Sequence, residues 1–537
     1  MMNAFVGTPA LLRNLVRRDW GLLLVWVLAV LAFASSGAGK FEAALSTARL
    51  RSSMFVLFRN PAMIALFGPP ATHATTASIG IIFGQTMTLL TSVTFAVVSI
   101  IYVVDRTRKQ EDEGVTELLR SLQVGRLAST TAVVIELLAL QLVIVAALAG
   151  SIQAQHVPTM SVFSDNLLFA AVIGAQGLLW GAVALVCAQI FPEASTAKGA
   201  AFTVLAALYI LRMATDIRDV SLGRWNPLSW SYLTWVYVDN DWLPVTATVA
   251  LSALLLAGSY VLELNRDISS GYVSARDGSA HASRGLRSLP GLVLREERGV
   301  LVGWLIALSV LGVMYGSMFA QIGTFLKDST GLMKQLLSVP GYRTSLVNQY
   351  LVMILALGAV AVSCLGVMLF SRMVREERHS RQELLYAKPL GRNAVYLTYL
   401  GVAVLSSVLA EFVFSASIWL AQSRDADALA FVVVLRSGFV YLPAIVFVLG
   451  LQALSVGFAP RWSGAVWVYL GFSFLMSYVG KVLEFPDWVK NVSVFHAIPE
   501  LPVASMDWPH VVVVAVLSVC LLAVGLLRYR RRDLISG

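Results

Sequence analysis

Two glutamates stand where an ionisable group is costly. Glu136 lies about ten residues into the apolar stretch 127–150, roughly 15 Å from its start at 1.5 Å per residue. Glu411 lies near the middle of the stretch 394–420. Carboxyl groups inside apolar segments of this length are paired, protonated or functional. Two readings fit them. One is a hydrogen-bonded carboxyl that holds helices together. The other is a group that lines a path and receives cationic or polar substrate groups. Gln85, Gln141, Gln176, Gln189 and Gln452 offer amides for the same two roles. Arg212 and Arg436 lie near the ends of apolar stretches, from which a long side chain reaches outward.

Other chemistry is missing from the sequence. His73, His156, His281, His379, His496 and His510 show no metal-ligand spacing and no His-Glu-x-x-His. There is no Gly-x-Ser-x-Gly elbow and no Gly-x-x-x-x-Gly-Lys-Ser/Thr loop to cradle phosphates. No catalytic residue, metal or bound cofactor is expected, and the chain cannot be its own ATP motor.

Composition sets the elements that must hold these residues. The 537 residues are 58% hydrophobic and 13% charged, with a mean hydropathy of +0.75. A soluble globule carries about 25% charged residues. Half that charge cannot coat a water-exposed surface, so a soluble enzyme, a disordered chain and a disulfide scaffold are excluded. Cys187, Cys364 and Cys520 lie far apart in apolar stretches and read as small core residues. The net charge of +9 does not imply nucleic acid here, because in a membrane protein the position of Lys and Arg matters more than their total.

Twelve apolar segments are long enough to span: about 20–38, 79–104, 127–150, 165–191, 197–215, 243–263, 299–320, 346–371, 394–420, 429–459, 463–483 and 509–528. Only helices satisfy every backbone polar group at these lengths in lipid. The first follows Arg13, Arg17 and Arg18 and resembles a signal peptide, but it is too long and is read as a retained helix. With the N-terminus inside, the inner segments carry most of the Lys and Arg, which places both termini on the cytoplasmic side.

The chain repeats itself at an offset of 266 residues: Glu117-Leu118-Leu119 with Glu383-Leu384-Leu385, Gly125-Arg126 with Gly391-Arg392, Asp241-Trp242 with Asp507-Trp508, and Arg266-Asp267 with Arg532-Asp533. The expected fold is all-α and polytopic: twelve transmembrane helices as two parallel six-helix repeats, 1–264 and 291–537, joined by a polar cytoplasmic linker, 265–290. Each repeat has a basic amphipathic leading helix, a cytoplasmic helix between spans two and three, and outer segments before spans two and six. The long outer segments are 39–78 and 321–345. The second outer segments hold Trp225, Pro227 and Trp230 in one half, and Phe495 and Pro499 in the other. Such aromatics suit an outer gate or an interfacial belt.

The link between spans two and three is the most informative segment. In the first half Val115, Leu118, Leu119 and Leu122 fall at helical spacing in a charged stretch that includes Glu111, Glu113 and Glu117. In the second half Glu377, Glu383, Leu384 and Leu385 stand at the corresponding place. A short helix with a greasy edge suits docking into a groove of a soluble partner. It also suits packing on the membrane surface or on its own bundle. Two copies favour a two-fold partner.

The order acid, Gly114, Glu117-Leu118-Leu119, Gly125-Arg126 resembles the coupling-helix region of ABC-2-type permeases, the type V ABC exporters. The place between spans two and three and the leading helix fit as well. The fused twelve-helix form resembles actinobacterial permeases of multidrug or polyketide-antibiotic export. The resemblance covers nearly the whole chain, although its motif is short and Ser380 stands where Gly114 does. It implies a permease subunit in a bacterial plasma membrane that exports amphipathic drugs, antibiotics or lipids. Two copies of a separate P-loop ATPase, holding ATP and Mg, would drive it. Val115, Leu118, Leu119 and Leu122, with Leu384 and Leu385, would sit in the ATPase grooves. Glu111, Glu113, Glu117, Glu377 and Glu383 would make charged contacts there or hold the helix against the bundle.

The alternative is a proton-coupled carrier of the major facilitator type, which also has two parallel six-helix halves, with Glu136 and Glu411 as proton carriers. Against it, no Asp-Arg-x-Gly-Arg-like loop follows span two. A third class, a membrane enzyme acting on lipid-linked substrates, needs a cluster of acids or histidines at one interface, and none assembles from the sequence.

Overall fold

The computed structural model describes residues 2–35, 38–39, 41–42, 45, 47–58, 61–71, 78–268, 270–273, 281, 283–319, 342–378, 385–387, 389–423, 428–479, 488 and 491–532. Secondary structure among these residues is helical, and the chain divides into two compact units, Met1–Gly278 and Ser279–Gly537.

The first unit holds α1 (Thr8–Val30), the short outer helices α2 (Ala48–Leu57) and α3 (Pro61–Phe67), then α4 (Ile79–Arg106), α5 (Arg108–Asp112), α6 (Val115–Arg120), α7 (Ala128–Gln153), α8 (Phe163–Ile190), α9 (Ala194–Arg218) and α10 (Leu243–Leu264). The second holds α11 (Leu289–Ser317), α12 (Tyr342–Arg378), α13 (Arg392–Gln422), α14 (Phe431–Phe439), α15 (Leu442–Phe458), α16 (Ala465–Val479) and α17 (Trp508–Arg531). Both units use one neighbour scheme: the first span packs on the third (α1 on α7, α11 on α13) and the fourth on the sixth (α8 on α10, α15 on α17). The inner helix of the first unit is α8, and that of the second is α12.

Ten helical stretches among the described residues are long and apolar enough to cross a membrane. They cover the expected spans except the first and the eleventh. The first falls on α1, whose N-terminal half carries Arg13, Arg17, Arg18 and Asp19, and which continues as a π-turn over Leu31–Ser35. The eleventh falls on α16, which is 15 residues long and apolar. The leading helices are not separate elements. Thr8–Val30 and Leu289–Ser317 each run without a break from the basic segment into the apolar one, with Pro in the first turn where its missing N–H costs nothing. Of the segment 321–345, residues 321–341 lie outside the described residues.

Small residues set the helix spacing. A Cβ on Gly525 of α17 would stand 2.7 Å from the Ala453 carbonyl oxygen, and one on Gly457 of α15 would stand 2.6 Å from the Gly525 oxygen. Backbones approach this closely in lipid because packing, not water exclusion, drives association there. Gly525→Ala is therefore expected to cost about 1–3 kcal/mol through overpacking and to lower the melting midpoint of the purified protein. Gly401→Ala, where a Cβ meets nothing within 4 Å, is the control and is expected to leave the midpoint unchanged or raise it. Equal midpoints for Gly525→Ala and wild type would contradict the close packing of α15 on α17.

Candidate functional site

The first link is built by two breaks in a long helix. Thr107 leaves helical geometry between α4 and α5. Gly114 then takes φ +75, the left-handed region that suits glycine, and α6 starts in a new direction. The N-terminal segment braces the far end of the link, since Gly125 N–H donates to the Val6 carbonyl at 2.8 Å and Leu127 N–H to that of Ala4 at 2.9 Å.

This link is clamped to the end of the last helix. Glu111 accepts from both terminal nitrogens of Arg266 at 2.8 Å and from Arg108 at 3.0 Å. Arg266 Nε donates to Gln189 at 3.1 Å. Arg126 donates to the Glu263 carbonyl at 3.0 Å and to that of Arg266, which supplies donors to the last turn of α10, where carbonyls lack intrahelical partners. Arg120 reaches Glu263 at 4.0 Å. Burial holds the Arg120 guanidinium below its ordinary value, with Glu263 opposing that effect and Arg126 adding to it.

The second unit repeats the core of the clamp, a Glu–Arg pair and an arginine on the same carbonyl. Glu377 pairs with Arg532, and the two residues stand 155 positions apart, as do Glu111 and Arg266. Arg392 donates to the Arg532 carbonyl at 2.7 Å over the same separation of 140 positions as Arg126 to Arg266. At the place of Arg120 and Glu263 stand Tyr386 and Tyr529, whose hydroxyls are 2.8 Å apart. A further ion pair anchors the first helix of each unit. Arg106 binds Asp19 at 2.6 Å, and Arg372 binds Glu297 at 3.3 Å.

The apolar stripe is split by this geometry. Leu118 and Leu122 are 71% and 62% exposed, whereas Val115 and Leu119 are half-buried. Glu113 and Glu117 are exposed on the link. Glu111 and Glu377 are buried in the clamp. In the second unit α12 continues through Arg378, and Leu385 is half-buried beside Tyr386. Glu383 and Leu384 lie outside the described residues, as do Ser380, His73 and His379.

Within each unit the intramembrane candidates have their own partners. Tyr102 donates its hydroxyl to Glu136, which is buried between α4 and α7. Glu411 is fully buried, accepts from Ser415 at 3.4 Å and lies against Gly438 on α14. The glutamines act as staples. Gln85 donates to the Gly68 carbonyl at 2.8 Å, Gln141 to Ser99 at 3.4 Å, and Gln176 to the Pro227 carbonyl at 2.8 Å. Gln452 donates to Ser371 at 2.9 Å.

At the proposed gate residues Trp225 is 86% exposed, Trp230 donates to the Arg224 carbonyl at 2.8 Å, Phe495 is buried and Pro499 is half-buried. Arg212 does not reach outward. It is fully buried, pairs with Asp216 at 3.3 Å, stacks 4.4 Å from the Tyr209 ring centre and donates to the Ala65 carbonyl. Asp216 one helical turn later makes this the better arrangement, because a buried guanidinium needs a paired carboxylate. Asp216 also accepts from the Tyr232 hydroxyl at 2.6 Å. Burial pushes that phenol well above its ordinary range. Among the described residues no group of three or more His, Cys, Asp and Glu is placed to hold a metal.

The clamp predicts a definite pattern of coupling. Glu111→Gln and Arg266→Gln should each cost about 3 kcal/mol, because each strands a buried charge. The double variant should lose less than their sum. Additive losses in denaturation of the purified protein would show that the two side chains do not act as a pair.

Comparison with known proteins places this architecture. Residues 286–530 match a family described as "Multidrug efflux system permease Rv1217c, C-terminal domain". Over 541 aligned residues the chain is 29% identical to the multidrug efflux system permease protein Rv1217c of Mycobacterium tuberculosis (strain ATCC 25618 / H37Rv), covering 99% of this chain and 96% of that protein. The chain is thus a polytopic helical membrane protein, similar along its length to a multidrug efflux permease.

Proposed function

We propose that this chain is the membrane-spanning permease of an ATP-driven exporter of amphipathic compounds such as drugs, antibiotics or lipids. The observation that carries the reading is the exposed pair Leu118 and Leu122 on a link held rigidly to the bundle. An exposed leucine on a membrane-spanning helix faces lipid and needs no explanation. On a charged link beyond the end of a span, two leucines one turn apart on a clamped element suit a protein groove. The similarity to an efflux permease supports the transport reading.

In this proposal the twelve apolar segments all span, as two parallel halves, 1–264 and 291–537, joined by the linker 265–290. Both termini face the cytoplasm of a bacterium, and the halves form the substrate path in its plasma membrane. The chain is non-catalytic. Two copies of a separate P-loop ATPase bind the two links and hold ATP and Mg, since the sequence carries no phosphate-cradling loop. Val115, Leu118, Leu119 and Leu122 with Leu384 and Leu385 make the apolar contacts, and Glu113, Glu117 and Glu383 the charged ones. Glu111 and Glu377 act through the clamp instead.

Closing of the ATPase pair pushes on the links. Because each link is tied to the last helix of its half, the push is delivered to the ends of α10 and α17 as well as to α4 and α12. Burial of each leucine is worth about 1.5–3 kcal/mol. Leu118→Asp with Leu122→Asp should therefore leave melting of the permease unchanged and remove one of the two ATPase copies from the purified complex. Wild-type recovery of the ATPase with that variant would show that the link is not its docking site.

A further inference from the structure

Behind the first link lies a small open cleft. Its walls are the link and the near ends of α7, α8 and α10. Four arginines, Arg108, Arg120, Arg126 and Arg266, face it with two carboxylates, Glu111 and Glu263, so the lining has a formal charge of +2. The hydroxyl residues Thr107, Thr116, Ser129 and Thr130 complete it.

The arginines differ in how far they are committed. Arg108 and Arg266 are taken up by Glu111 and by backbone carbonyls. Arg120 is not: its contacts are the Arg126 carbonyl at 3.5 Å and Glu263 at 4.0 Å, both at the limit of a useful interaction. A guanidinium with a planar fork of donors is best satisfied by a bidentate oxyanion.

The described residues of the second unit put different chemistry at the equivalent place. At the repeat-equivalent positions Arg120, Thr130 and Glu263 become Tyr386, Tyr396 and Tyr529. These three stand together: the Tyr386 and Tyr529 hydroxyls are 2.8 Å apart, and the Tyr396 and Tyr529 ring centres are 5.4 Å apart. Thr107, Arg108 and Ser129 likewise become Met373, Val374 and Val395, all buried. One scaffold therefore carries tyrosines and apolar side chains at these positions in one half and a basic, hydroxyl-lined cleft in the other, while the Glu–Arg clamp is kept in both.

We propose that the cleft lined by Arg120, Arg126, Ser129 and Thr130 binds a phosphate group, which bridges the first link to the ends of the spans around it. The position at the membrane boundary makes an anionic lipid headgroup one source, and basic pockets between span ends bind such headgroups. A soluble phosphate is the other source. This site stands independently of the transport reading.

The test uses the purified full-length chain, delipidated in detergent, and follows both the melting midpoint and ligand retained in native mass spectra. The probes are phosphatidylglycerol, phosphatidylcholine and inorganic phosphate. Wild type is expected to retain phosphatidylglycerol over phosphatidylcholine and to be stabilised by it. A matching response to inorganic phosphate would assign the site to a soluble anion, and its absence would assign it to the lipid headgroup. Arg120→Gln should weaken the response at least tenfold. The triple variant Arg120→Tyr, Thr130→Tyr, Glu263→Tyr copies the second unit and should abolish it while melting as a folded protein without ligand. If the triple variant does not fold, Arg120→Gln alone decides. A wild type that answers to none of the probes, or an Arg120→Gln variant that answers as wild type does, would overturn the proposal and leave the cleft to water.

Discussion

The arrangement of both links depends on one interaction made twice, the ion pair of Glu111 with Arg266 and of Glu377 with Arg532. Each joins the end of a second span to the end of a sixth, elements far apart in sequence. Removing charged groups from water is costly, and such pairs stabilise little compared with apolar packing. What a buried pair enforces is geometry, because either partner alone is strongly unfavourable. Around it Arg126 and Arg392 occupy the carbonyls at the end of α10 and α17, and the link has one position. The exposed leucines of the first link are presented from that fixed base.

The two halves keep the clamp and vary what surrounds it. An arginine and a glutamate at one position of the repeat are a hydrogen-bonded pair of tyrosines at the other. Both solutions tie the link to the last helix, one with charge, the other with rings. Intramembrane carboxyls vary in the same way. Glu136 meets Tyr102 in the first unit, while the corresponding Val402 is apolar, and Glu411 has its own partner in Ser415. The two units thus share the Glu–Arg pair at the links and differ inside their bundles.

Much of this was legible in the sequence. Apolar runs mark the spans because lipid permits no other backbone arrangement, and ten of the twelve expected segments return as long apolar helices. The 266-residue offset located Gly125-Arg126 and Arg266-Asp267 with their partners, and these turned out to hold the clamp. What pairs with Arg266 was not legible, since Glu111 stands among several acids 155 positions away and only the fold selects it. The stripe Val115, Leu118, Leu119, Leu122 was visible as a period. Its split into buried and exposed halves follows from the turn at Gly114, which a period does not encode. The burial of Arg212 was signalled by Asp216 four residues on and was masked by its place near a span end.

In the proposed exporter one chain carries two docking links and so binds two ATPase subunits. The direct measurement is the mass of the complex purified in mild detergent from its native membrane. The account predicts the 58.1 kDa chain with two P-loop ATPase subunits. A chain that purifies with none, yet moves substrate on a proton gradient, would contradict it.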